Sequence, residues 1–313
     1  MDSKLKGTLC GIGAALCYGT NPLGATYLAR DGISTNTTLF YRFALATLIL
    51  GVMMAVQRKS FALTRREFGL LAILGVLMSS SSTTLYFSFN YMDVGIASTL
   101  LFVYPIMVAV LMMVLFHEKL TLVTALSIAL ALGGIALLNH TSDGSALSTL
   151  GVVLVMLSSL TYAVYIVVVN KSSLRLSSVK LTFYVLLFGA FTILSFTFAT
   201  GETVQLLTTP RQWLFALQLA VLPTVLSLVL MVVAVHDIGS TPTAIMGALE
   251  PITAVAIGVL LFGEDFTMRL AVGIMLILFG VLLIMGGKEV SPHKITMVIG
   301  RLGRTLMKTW RWK

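Results

Sequence analysis

Ten stretches of roughly 20 predominantly apolar residues follow one another along the chain, joined by short polar connections. A helix of that length crosses the hydrocarbon core of a bilayer. In lipid every backbone amide has to be bonded inside its own segment, so such a chain folds as a bundle of spanning helices. The first five runs are 5–29, 36–56, 68–90, 94–116 and 120–139; the second five are 147–170, 179–199, 213–236, 241–262 and 268–285. Turn-forming residues punctuate the connections, as at Arg30-Asp31-Gly32, Ser142-Asp143-Gly144 and Gly263-Glu264-Asp265. Composition agrees: 58% of residues are hydrophobic and 11% charged, whereas a soluble domain has about a quarter of its residues charged. No stretch is left over for a soluble domain. Lys4 and Lys6 ahead of the first run give it the look of a secretion signal. The run continues to Ala29 without a small-residue cleavage motif, so an uncleaved first span is expected. Cys10 and Cys17, seven residues apart on one helix, are separated by about 10 Å of rise, too far for a disulfide.

Basic residues set the orientation. With the N-terminus inside, the inner connections and tail carry 17 Lys and Arg, the outer connections carry Arg30, Arg211 and Arg269, and Arg42 lies within a span. That asymmetry predicts that both termini face the cytoplasm. The net charge of +9 is therefore read as topology signals and headgroup contacts, with no nucleic-acid partner. After Gly287, Lys294, Arg301, Arg304, Lys308 and Arg311 fall on one helical arc, and Ile295, Val298, Ile299, Leu302, Leu306 and Trp310 on the opposite one. Residues 288–313 thus suit an amphipathic helix on anionic lipid headgroups, although Gly300 and Gly303 equally suit an irregular basic tail.

The two halves of the chain are related. An offset of 146 carries Pro105 to Pro251, Phe116 to Phe262, Glu118 to Glu264, Thr121 to Thr267 and Gly134 to Gly280; upstream, 144 carries Gly7 to Gly151, Tyr18 to Tyr162, Asp93 to Asp237 and Gly95 to Gly239. Each unit holds five spans. An odd number makes the second copy enter the membrane from the opposite face, giving inverted repeats such as those of many secondary carriers. The expected fold is an all-α membrane protein of ten transmembrane helices: a first repeat over 1–141, an inverted second over 142–287, and the basic tail. Glu118 and Glu264 sit at equivalent span ends and read as repeat-related structural caps.

Leu249-Glu250-Pro251, Phe262-Gly263-Glu264 and Gly280, with their partners Tyr104-Pro105, Phe116-His117-Glu118 and Gly133-Gly134, resemble the EamA family of the drug/metabolite transporter superfamily. Asn21-Pro22 and Arg42 match the family's habits in its first two helices. The likeness covers about residues 5–287. It implies a ten-helix carrier, commonly an exporter of amino acids or other metabolites, whose spans 1, 3, 4, 6, 8 and 9 surround a central cavity. It says little about the solute. The first-half counterpart of Glu250 is Tyr104, so the halves are chemically unequal. There is also no cluster of intramembrane Lys and Arg of the kind that phosphate-translocating relatives use.

Among individual residues Glu250 stands out, because an unpaired carboxylate near mid-span costs at least about 2.5 kcal/mol. Such a group faces an aqueous cavity, finds a partner or takes up a proton; otherwise it satisfies backbone groups freed near Pro251. Arg42 either holds a substrate carboxylate or pairs with Glu250, or else it snorkels outward or fixes neighbouring loops, and this second pair is the simpler expectation. Asn21 either lines the path at a Pro22 hinge or belongs to a merely bent, packed helix. Tyr18, Tyr86, Asn90, Tyr104, Tyr162, Tyr165, Thr224 and Ser227 complete the candidate set. Tyrosines suit an amphipathic ligand, although small polar residues also glue membrane helices together.

These features point to a secondary carrier of a small polar or amphipathic metabolite, an amino acid or similar, in a bacterial inner membrane. No Walker-type loop, cofactor motif or metal-ligand spacing occurs, and no intramembrane nucleophile and base arrangement supports an enzyme. A nucleotide-sugar exchanger of the same superfamily, a channel and an intramembrane enzyme are the alternatives. The sequence permits, without requiring, a homodimer.

Overall fold

The computed structural model describes residues 3–117, 121–138, 148–172, 174, 176–239, 242–243 and 246–287. The basic tail, Glu118 and Ser142-Asp143-Gly144 lie outside these residues. All regular structure among the described residues is helical. Six helical stretches are long and apolar enough to cross a membrane: Thr35–Val56, Arg65–Ser88, Val94–Phe116, Thr149–Lys171, Ser178–Ala199 and Pro210–Ile238. Leu122–Leu138, Leu249–Phe262 and Met268–Leu283 are shorter apolar helices. The surface carries large apolar side chains, among them Leu48, Leu122, Leu132, Leu260 and Met275. Apolar cover of that extent belongs in lipid, and the chain is a multi-pass membrane protein.

In chain order the helices are α1 (Ser3–Gly19), α2 (Asn21–Arg30), α3 (Thr35–Val56), α4 (Arg65–Ser88), α5 (Val94–Leu101), α6 (Tyr104–Phe116), α7 (Leu122–Leu138), α8 (Thr149–Lys171), α9 (Ser178–Ala199), α10 (Pro210–Ala220), α11 (Ser227–Ile238), α12 (Leu249–Ile257) and α13 (Met268–Gly287). Helix starts are written in the connections. Ser34 accepts the Thr37 N–H, and Thr64 with Glu67 and Thr209 with Gln212 form capping boxes.

Four spans are interrupted, each beside a proline. The first breaks at Thr20 just before Pro22, and the fourth at Phe102 and Val103 just before Pro105. Pro223 lies in a π-helical turn, Val221–Leu226, that joins α10 to α11, and α12 opens immediately before Pro251. A proline has no N–H to donate, so it fits the first turn of a new helix at little cost. In the first and fourth spans the prolines start a second helix instead of bending one.

The packing is two-fold. α3 lies on α9, α5 on α12 and α7 on α13, so spans two, four and five of one half each meet their own counterpart in the other. α4 packs on α8 as α11 packs on α1, which is the same contact with the halves exchanged. Two glycines show how closely this is obeyed. A Cβ on Gly7 would stand 2.7 Å from Ile238 Cγ2 and 2.8 Å from Asp237 Cβ, and one on its counterpart Gly151 would stand 2.8 Å from Met92 Cε. Each repeat needs its glycine where its first span crosses the end of the other repeat's third.

Candidate functional site

The broken spans meet around a cavity of about 70 Å³ lined by Tyr18, Gly19, Asn21, Pro22, Leu85, Ser98, Leu101, Phe102, Tyr104, Tyr162, Met231, Glu250, Pro251 and Ala254. These residues come from the first, third, fourth, sixth, eighth and ninth apolar runs, the set the family likeness implies. The volume is room for a few waters or one small solute.

Glu250 is in the first turn of α12, where the half-helix dipole favours a carboxylate. Its side chain borders the cavity and makes no ion pair or hydrogen bond with any described residue. It is neither paired with Arg42 nor spent on the backbone groups near Pro251. Tyr104 stands edge-on to Tyr162, ring centroids 4.8 Å apart, and Phe102 lies 5.8 Å from Tyr104. Tyr165 stacks behind Tyr162 at 5.8 Å and is not itself in the lining.

Arg42 corrects an expectation. Only 3% exposed, it does not snorkel outward. Its Nε donates to Thr224 Oγ1 at 3.1 Å and its Nη1 to the Tyr86 hydroxyl at 3.0 Å, and Tyr86 in turn donates to Asn21 Oδ1 at 2.6 Å. Tyr18 interacts with the same guanidinium. No carboxylate among the described residues pairs with Arg42. The ring faces of Phe43 and Tyr86, with centroids 5.9 and 5.8 Å from its Cζ, supply the remaining negative potential. The chain from Arg42 through Tyr86 to Asn21 ties α3 and α4 to the start of α2, and Thr224 adds the π-helical turn. Thr224 also donates to Leu219 O at 2.8 Å, a bond across the widened turn.

Of the residues singled out from sequence, Tyr18, Asn21, Tyr104, Tyr162 and Glu250 therefore line one cavity. Arg42, Tyr86 and Thr224 form the layer behind it. Ser227 donates to Ala14 O at 2.9 Å and serves helix packing. Asn90 is exposed beyond the end of α4, away from the cavity. Ser98, Phe102 and Met231 were not expected in the lining. None carries a chemical signal in sequence, although Phe102 sits at the break ahead of Pro105.

At one end of the bundle Glu264 reaches across the repeats. Its carboxylate accepts the Val94 N–H at 2.7 Å and the Gly95 N–H at 3.1 Å, capping α5 of the other half. Burial pushes this carboxyl above its usual range. The Gly95 and Val94 amides oppose that shift, and the Asp93 carboxylate adds to it.

The family model described as the EamA-like transporter family matches residues 5–140 and 149–286. An "Uncharacterized transporter" of Archaeoglobus fulgidus is 29% identical over 191 residues, 61% of this chain and 67% of that protein. A Synechocystis protein of the same description is 32% identical over 231 residues, 70% of this chain and 66% of that one. The matched segments thus span about two thirds of those two relatives. The "Uncharacterized transporter YetK" of Bacillus subtilis is 24% identical over 287 residues, 89% of this chain and 86% of its own. One solved crystal structure superposes with a TM-score of 0.65 at 15% identity, covering 90% of this chain and 96% of that one, a likeness of fold.

Proposed function

We propose, from the premise that this chain belongs to the EamA-like transporter family and is a membrane transporter, that it is a secondary carrier working by alternating access around the Glu250 cavity. Its ten spans form two five-span units of opposite orientation, over 1–141 and 142–287, with both termini in the cytoplasm of a bacterial inner membrane. The 17 to 3 distribution of basic residues supports that orientation. The exchange-symmetric pairing of spans supports a rocking of one half against the other. The cargo is a small polar or amphipathic metabolite of amino-acid size, and the family likeness favours export.

The observation that carries this reading is a carboxyl group without a partner among the described residues, presented to a cavity where interrupted helices of both halves converge. A protein that only scaffolded its helices would have paired or omitted that group. Among the described residues the lining contains no Lys, Arg or His, which disfavours a nucleotide-sugar or other phosphorylated solute. Reconstituted protein is expected to show saturable counterflow, with Glu250→Gln losing pH-driven transport while still folding. Unitary ionic currents without counterflow would mark a channel instead, and unaltered pH-driven transport by Glu250→Gln would remove Glu250 from the coupling.

A further inference from the structure

We infer that the cavity selects a small organic monocation, an alkylammonium ion with a compact apolar body, over zwitterions and anions of the same skeleton. This rests on the carrier reading and narrows its solute.

Three observations converge. The first is the charge of the lining: among the described residues it holds one carboxyl group, Glu250, and no basic side chain. Arg42 is outside the lining and already committed to Thr224 and Tyr86. An ammonium group entering the cavity therefore meets a carboxyl group with no partner among the described residues, whereas a carboxylate meets no cation among the described lining residues. For a zwitterion the amine is served and the carboxylate is stranded in a low-dielectric site, which is costly.

The second observation is the aromatic wall. Tyr18, Phe102, Tyr104 and Tyr162 all border the cavity. Ring faces carry negative potential, and several around one site attract an ammonium ion when water is scarce. The same rings repel a carboxylate. The third is the remaining surface: Leu85, Leu101, Met231 and Ala254 offer only apolar contact, so the body of the solute is hydrocarbon. The volume of about 70 Å³ keeps that body small.

Three probes that share a 3-methylbutyl body and differ in the charged groups on it separate the charge classes: 3-methylbutylammonium, leucine and 4-methylpentanoate. Their binding to purified full-length protein in lipid nanodiscs is to be measured by calorimetry. The expected order is the amine about tenfold or more tighter than leucine, with no saturable binding of the acid. Glu250→Gln should weaken the amine by at least about tenfold. Tyr162→Leu should weaken it severalfold while Tyr162→Phe stays near the parent, because the aromatic ring and not the hydroxyl is what the wall contributes. The tyrosine pair decides the matter if Glu250→Gln does not fold. Leucine or the acid binding as tightly as the amine, no saturable amine binding, or equal affinities for Tyr162→Leu and Tyr162→Phe would overturn the inference. Counterflow of leucine without amine binding would refute this solute class and leave the carrier reading standing; amine binding without any counterflow would do the reverse.

Discussion

Removing the Glu264 carboxylate should loosen one end of the molecule by an amount that follows from its contacts. In Glu264→Ala, the Val94 and Gly95 amides lose their acceptor at the first turn of α5. Two such hydrogen bonds contribute about 0.5–1.5 kcal/mol each. The burial that pushes the carboxyl upward takes back part of this, so the net loss is about 1–2 kcal/mol, or roughly 5- to 30-fold in the opening equilibrium. The contact joins the turn after the ninth span to the start of the fourth, on the outer face in the proposed orientation. Ser98, in the cavity lining, is a suitable reporter. With Cys10 and Cys17 replaced by Ala, a Ser98→Cys protein is to be treated with a membrane-impermeant methanethiosulfonate from the outer face. Glu264→Ala should raise the labelling rate by that factor, and Glu264→Asp, one methylene short of spanning both amides, by less. Equal rates with and without the carboxylate would show that the bridge does not hold the outer end closed.

Acidification should act through the same group. Because burial raises the Glu264 carboxyl above the usual carboxylate range, the two amides opposing and Asp93 adding, the closed bridge binds a proton more tightly than a solvated one. Closure is therefore favoured as pH falls through the raised value toward the ordinary carboxylate range, and Ser98→Cys labelling should slow more in parent protein than in Glu264→Ala, which carries only the thiol's own titration. Tyr86→Phe strips the hydroxyl that receives Arg42 and donates to Asn21, leaving a buried donor and acceptor unmatched. A destabilisation of about 1–3 kcal/mol should appear in the unfolding midpoint in mixed micelles, and an unchanged midpoint would show that water replaces the hydroxyl. Gly134→Leu should destabilise the packing of α7 on α13 by about 1–3 kcal/mol. Its Cβ alone would come within 2.7 Å of the Gly273 carbonyl and 2.6 Å of Ile277 Cγ1, and a thermal midpoint equal to the parent's would contradict that packing.

Much of this arrangement was legible before any coordinates. The apolar runs carry helix and membrane together, because lipid leaves the backbone no other solution. The repeat offsets identify which spans are related, while their pairing across the halves is seen only in the structure. Pro22 reads in sequence as a hinge, and the first span is interrupted there. Glu250 announces itself by type and depth. The partners of Arg42 do not, because Tyr86 and Thr224 lie 44 and 182 residues away and no periodicity links them. A cation looks for an anion in a sequence reading, and here hydroxyls and ring faces take that place. Glu264 was legible as a cap, but its acceptors are backbone amides of the other repeat, which no side-chain pattern records.

The proposed mechanism requires the two halves to lie in opposed orientation, and impermeant thiol labelling tests that directly. Asn90 and His236, near the ends of equivalent spans of the two repeats, are both exposed, the His236 side chain to 86%. In right-side-out vesicles Asn90→Cys should react and His236→Cys should not, with the pattern reversed in inside-out vesicles. Reaction of both from the same face would contradict the inverted arrangement and the alternating access built on it.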